Sequence, residues 1–113
     1  MAVDPLAGVT PEELLRVAAS ALNFAKDPIE QAIARKAAAL GIPLCEVEDF
    51  RRLPCGGIHC WVGGVPTLLG SRGVMSGLGI CVGNVECSPD SHNEIFVAQG
   101  SRLLGRLVIR IAL

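Results

Sequence analysis

The sequence has 113 residues, half of them apolar and 19% charged, with three Phe, one Trp, no Tyr and a net charge of −1. That length suits one domain with its own core of aliphatic side chains. The near-neutral charge and the few aromatic rings exclude the basic footprint and the stacking surface of a nucleic-acid binder.

No apolar run reaches the roughly 18 residues that a membrane helix needs. The first residues, Met-Ala-Val-Asp-Pro, lack the basic and apolar regions of a signal peptide. Five cysteines without paired spacing fit a reducing compartment better than a disulfide framework. The expectation is a soluble, cytosolic chain.

Thr10-Pro11-Glu12-Glu13 opens the first element: Thr10 can cap, Pro11 suits the first helical position, and Glu13 can reach back to complete a capping box. Leu14, Leu15, Ala18, Ala21, Leu22 and Ala25 recur at helical spacing. Asp27-Pro28-Ile29-Glu30 repeats the device, with Asp27 as cap. Ile29, Ala32, Ile33, Ala37 and Leu40 then line one face until Gly41 stops the helix. The spacing predicts helices over about 11–25 and 28–40.

After Gly41 the period changes. Residues 44–53 read as a strand, and Ile58, Cys60 and Val62 alternate with His59 and Trp61. Gly63-Gly64 between this run and Val65 to Leu69 is a hairpin signal. Gly70-Ser71-Arg72 opens a short helix through about Leu78. Ser88 to Asn93 reads as an exposed loop. Ile95 to Ala98 and Leu103 to Ile111 form a second hairpin, turned at Gln99-Gly100-Ser101. Leu107, Ile109 and Ile111 alternate there with Arg106, Val108 and Arg110. The predicted fold is α+β, a mostly antiparallel sheet of about six strands with flanking helices.

In this order, five segments resemble the nucleotide-binding (N) domain of heavy-metal-transporting P-type ATPases, and the resemblance spans nearly the whole chain. Val9 to Ser20 looks like that family's leucine-rich first helix. Ala25-Lys26-Asp27-Pro28-Ile29-Glu30-Gln31-Ala32-Ile33 stands where its Ser-Glu-His-Pro-Leu turn belongs. Glu48 to Ile58, through Pro54-Cys55-Gly56-Gly57, resembles its valine-proline-glycine-x-glycine strand start. Thr67-Leu68-Leu69-Gly70-Ser71-Arg72 resembles its leucine-isoleucine-glycine-asparagine segment, and Ile95 to Ile111 its returning hairpin.

The resemblance implies an ATP-binding domain, copper-leaning in the ion its pump moves, that presents ATP to a phosphorylation domain of the same protein. It places the cofactor-binding residues at Lys26, Asp27, Cys55, Gly56, Gly57, Ile58, Gly70 and Ser71. It implies Mg-ATP in the intact pump, the phosphorylation and actuator domains as partners, and a monomer when the domain is alone. The departures fall on the base pocket: the family's glutamate and histidine are Lys26 and Asp27, its first glycine is Cys55, and its asparagine is Ser71.

Lys26 offers no acceptor, and Asp27 can accept a bond but cannot stack on a base. Each also has a plainer reading: Asp27 and Ser71 as helix caps, Gly56 and Gly57 as a strand start or bulge, Lys26 as a solvated side chain. Two further readings remain open, a degenerate domain kept as a scaffold and the corresponding domain of a potassium pump. No CxxC pair or zinc-like spacing accompanies Cys55, His59, Cys60, Cys81 and Cys87, and Cys60 reads as core. His59 and His92 lack catalytic partners. No phosphorylated-aspartate motif (Asp-Lys-Thr-Gly-Thr) and no Walker-type loop occur, so no catalytic residue is assigned and the chain alone is expected to be inactive.

Overall fold

The structure, a computed structural model, describes residues 2–6, 8–23, 28–54, 56–80, 94–100 and 102–108. Among them run β1 (Ala2–Pro5), α1 (Pro11–Leu22), α2 (Pro28–Ala39), β2 (Val47–Arg52), β3 (Ile58–Val62), β4 (Val65–Gly70), α3 (Arg72–Gly77), β5 (Glu94–Gln99) and β6 (Arg102–Val108). The strands form one antiparallel sheet of six in the order β1-β6-β5-β4-β3-β2.

Local chemistry sets the element ends. Thr10 caps α1, its Oγ1 accepting the Glu13 N–H at 3.1 Å, with Pro11 first in the helix. The last turn of α2 closes as a Schellman motif, the Ile42 N–H on the Ala37 carbonyl and the Gly41 N–H on that of Ala38. Gly41 takes the positive φ of 71° that this turn requires. Gly63 and Gly64 both have positive φ and place Val62 opposite Val65, a two-residue turn that carries the strand twist.

α1 is buried over more of its surface than one apolar face would give. Leu14, Leu15, Val17, Ala18, Ala19, Ala21 and Leu22 are all buried, because the helix lies between the sheet and α2. A helix covered on two sides must be apolar on both. Its one buried hydroxyl, Ser20, donates to the Arg16 carbonyl at 2.7 Å and accepts the Cys45 N–H at 2.8 Å, so burial leaves it satisfied.

Ile33 and Ala37 of α2 close over α1, whereas Leu40, expected on that face, is 58% exposed because the helix has ended and the chain turns away. α1 ends at Leu22, short of the predicted residue 25, which lies outside the described residues. Ile58, Cys60 and Val62 face this core, with His59 and Trp61 on the other side. That opposite side holds a second cluster, Leu68, Phe96 and Ala98 under Met75 of α3.

Two features had no counterpart in the sequence reading. β1 pairs with β6 at the sheet edge, Val3 opposite Leu107, where Pro5 costs no ladder bond to a further strand. β2 is bulged between Glu48 and Arg51, with Asp49 at a positive φ of 52°. The loop read at 88–93 and the alternating positions Ile109 and Ile111 lie outside the described residues.

Candidate functional site

A cavity of about 190 Å³ opens where five elements meet. The last residue of α1, Leu22, and Glu30 in the first turn of α2 form one wall. Gly56 and Ile58 supply the second, from the bend that leads into β3. Leu69 and Gly70 at the end of β4, with the cap residue Ser71, form the third, and Glu94 and Ile95 of β5 complete it.

Four of the residues singled out by the sequence, Gly56, Ile58, Gly70 and Ser71, therefore share one concave surface. Lys26, Asp27 and Cys55 lie outside the described residues. Gly57 is buried beneath α3 and is not among the described residues that line the cavity.

The bend at 53–57 is closed by two backbone bonds, Leu53 N–H to the Gly57 carbonyl at 2.8 Å and Gly56 N–H to the Leu53 carbonyl at 2.9 Å. Gly56 has a positive φ of 97°, and nothing stands within 4 Å of where its Cβ would be. Its bare backbone thus faces open space, a surface a flat ligand can approach. Gly57 and Gly70 serve packing instead. A Cβ on either would stand 2.7 Å from Val74 Cγ1, so both glycines let α3 sit close against the bend and β4.

Ser71 caps α3, its Oγ accepting the Val74 N–H at 3.3 Å. A hydroxyl that accepts there keeps its own hydrogen to donate. Glu30 lies across the cavity with both carboxylate oxygens on Arg52 Nη2, at 3.1 and 2.9 Å. Glu94 is buried and stands between two guanidinium groups: Arg72 at 3.3 Å and Arg106, which also reaches Asp4 Oδ2 at 3.1 Å. Arg72 in turn lies over the Phe96 ring, 5.1 Å from its centroid.

Burial disfavours the charge on Arg106, but hydrogen bonds to Glu94 and Asp4, and their charges, outweigh it and raise its pKa above the ordinary value. The Glu94 carboxylate is thus engaged by two guanidinium groups of the protein itself. Among the described residues no three His, Cys, Asp or Glu side chains gather as metal ligands, and no helix is long and apolar enough to cross a membrane.

Sequence reasoning overlooked Leu22, Glu30, Leu69, Glu94 and Ile95 as parts of this surface. Glu30 was legible only as a capping-turn residue, and Glu94 only as the residue before a strand. Their convergence depends on where the first turn of α2 and the start of β5 come to rest on the sheet.

No family model matches the chain. The chain is 39% identical over 69 residues to the copper-exporting P-type ATPase B of Archaeoglobus fulgidus, a match covering 61% of this chain and 10% of that protein. The chain thus spans about a tenth of that relative's length. The structure of a zinc-transporting PIB-type ATPase superposes with a TM-score of 0.74 at 28% identity, over 94% of this chain and 18% of that one. The N-domain of HMA8, a copper-transporting P-type ATPase, superposes with a TM-score of 0.77 at 22% identity, over 97% of this chain and 98% of that one. At that identity the likeness is one of fold. The chain is thus similar in sequence to part of a copper-exporting P-type ATPase, and in structure to part of a zinc-transporting PIB-type ATPase and to the N-domain of a copper-transporting one.

Proposed function

We propose that the chain is the ATP-binding domain of a heavy-metal-translocating P-type ATPase, copper-leaning, which holds the base of ATP and presents its phosphates to a phosphorylation domain outside this sequence. One observation carries the reading: Gly56, Ile58, Gly70 and Ser71, from separate segments, line a single cavity. Lys26, Asp27 and Cys55 belong to the same proposed site, and Gly57 contributes to it by letting α3 pack against the bend. The fold shared with the HMA8 N-domain supports the domain assignment, and the identity to a copper exporter supports the ion.

A cavity of 190 Å³ is below the roughly 300–1,000 Å³ of a pocket that encloses a whole ligand. It has room for a ring system, with ribose and phosphates left outside. That division suits a domain whose task is positioning, since phosphoryl transfer rests on placement, Mg²⁺ and charge stabilisation. The bare backbone at Gly56 and the side chains of Leu22, Ile58, Leu69 and Ile95 would flank the base. The partners are then the phosphorylation and actuator domains of the same pump, and the domain by itself is a monomer.

With the family's histidine and glutamate replaced, affinity is expected near millimolar or weaker, about −4 kcal/mol or less. Titrating Mg-ATP while following backbone amide shifts tests this. Shifts at Gly56, Ile58 and Ser71 with a millimolar midpoint are expected, and no ATP turnover. Saturation at micromolar ATP would overturn the reading of the substitutions. A scaffold role is favoured by a second, larger groove of about 340 Å³ between β1, α1 and α2, lined by Val3, Leu15 and Leu40 among others. Silence of the cavity amides at tens of millimolar ATP would decide for that alternative.

A further inference from the structure

Among the described residues three polar side chains line the cavity, and they are not equivalent. Glu94 is only 2% exposed and is shared by Arg72 and Arg106, so its charge is spent inside the protein. Ser71 presents a hydroxyl. Glu30 is 15% exposed, and its two oxygens are held by one nitrogen of Arg52, which comes from β2 and is half exposed. An ionised carboxylate has about four acceptor positions and no donor. Arg52 occupies one position on each oxygen, fixes the plane of the group, and leaves acceptor capacity at the cavity wall.

Resting on the nucleotide reading above, we propose that Glu30 is the specificity-determining residue of this site: its carboxylate accepts a hydrogen bond from the exocyclic amino group of a 6-aminopurine and rejects a 6-oxopurine. Glu30 stands on the cavity wall in the first turn of α2. An amino edge meets the carboxylate as donor to acceptor. An oxo group at that position sets acceptor against acceptor, which is discrimination by repulsion as well as attraction.

The test compares Mg-ATP with Mg-ITP, which carry the same triphosphate and differ only in the base edge, a 6-amino group beside an accepting N1 in ATP and a 6-oxo group beside an N1–H in ITP, so phosphate attraction cancels in the ratio. Dissociation constants come from amide shifts of the whole 113-residue chain. The unaltered protein should favour ATP by about tenfold, the scale of one hydrogen bond to a charged group. Glu30→Ala should bring the two within about twofold, chiefly by weakening ATP. Glu30→Gln should do the same, because its amide can turn to donate to an oxo edge. Arg52 is half exposed, so loss of the ion pair with Glu30 leaves the fold intact, and amide dispersion and Tm check this for each variant.

An ATP preference that survives both substitutions, or no preference in the unaltered protein while both nucleotides bind, would overturn the role of Glu30 and leave the nucleotide reading standing. If neither nucleotide moves the cavity amides at tens of millimolar, the nucleotide reading itself fails, and the inference with it.

Discussion

Val74 is wedged against two glycines, and that contact sets how closely α3, and with it Ser71, sits on the sheet. Replacing Gly57 by Ala would put a Cβ 2.7 Å from Val74 Cγ1 and 3.1 Å from the Leu69 carbonyl oxygen. Gly57 is not among the positive-φ residues, so the penalty is steric rather than conformational. Overpacking of one methyl in a filled site costs about 1–3 kcal/mol. Val74→Ala removes two nearly buried methyl groups, about 0.8 kcal/mol each plus a cavity contribution, or about 2 kcal/mol.

The double variant is the informative one. The new methyl at 57 then enters space vacated by Val74, so the pair should cost about 2 kcal/mol rather than about 4, a favourable coupling near 2 kcal/mol and within the range seen for touching residues. For a chain of this length each single variant should lose roughly 8 °C in Tm. Urea unfolding of the four proteins measures the cycle, with an unchanged m-value as the sign that only stability has moved. Costs that add within about 0.5 kcal/mol would refute the wedge. Because the Val74 N–H donates to Ser71 Oγ, Gly57→Ala should also displace the Ser71 amide resonance.

Glu94→Gln should cost about 2–4 kcal/mol in urea unfolding, since it removes the buried charge that Arg72 and Arg106 share, while Arg106 keeps Asp4. Asp4→Asn, at a half-exposed carboxylate, should cost no more than about 1 kcal/mol; equal costs would mean that the buried pairs are not the ones that matter. Burial pushes the Cys60 thiol up from 9.0 to about 11. The folded state therefore holds that proton longer than the unfolded state does, and the stability it contributes is complete below about pH 9 and lost as pH rises toward 11. At pH 8, Cys60 should resist a thiol reagent in the native protein while the half-buried Cys45 is labelled; fast native-state labelling of Cys60, read by peptide mass, would contradict this.

The legible parts of the fold were those with short-range causes. Thr10 before Pro11 starts α1, Gly41 ends α2, the Gly63-Gly64 pair joins β3 to β4, and Ser71 caps α3. Each acts within about four residues, so its signal survives in one dimension. The alternation of Ile58, Cys60 and Val62 likewise identified which side of β3 meets the core. Four cavity residues were legible through the family resemblance alone. Nothing in composition or spacing would have placed Gly56 beside Ser71.

What the chain's order did not disclose is long-range. β1 carries four residues, too few for a periodic signal, and exists as a strand because β6, about a hundred residues away in the sequence, lies alongside. Glu30 and Glu94 look alike as isolated acids. Packing makes one a clamped acceptor on a cavity wall and the other a buried bridge between two arginines. By itself the sequence determined the types of the elements other than β1 and the ends that carry a cap or a turn glycine, because caps, turn glycines and periodicity are properties of neighbouring residues. Tertiary structure alone decided which residues share the cavity and how much of each charge is already neutralised, because burial and distance belong to the folded arrangement and not to chain order.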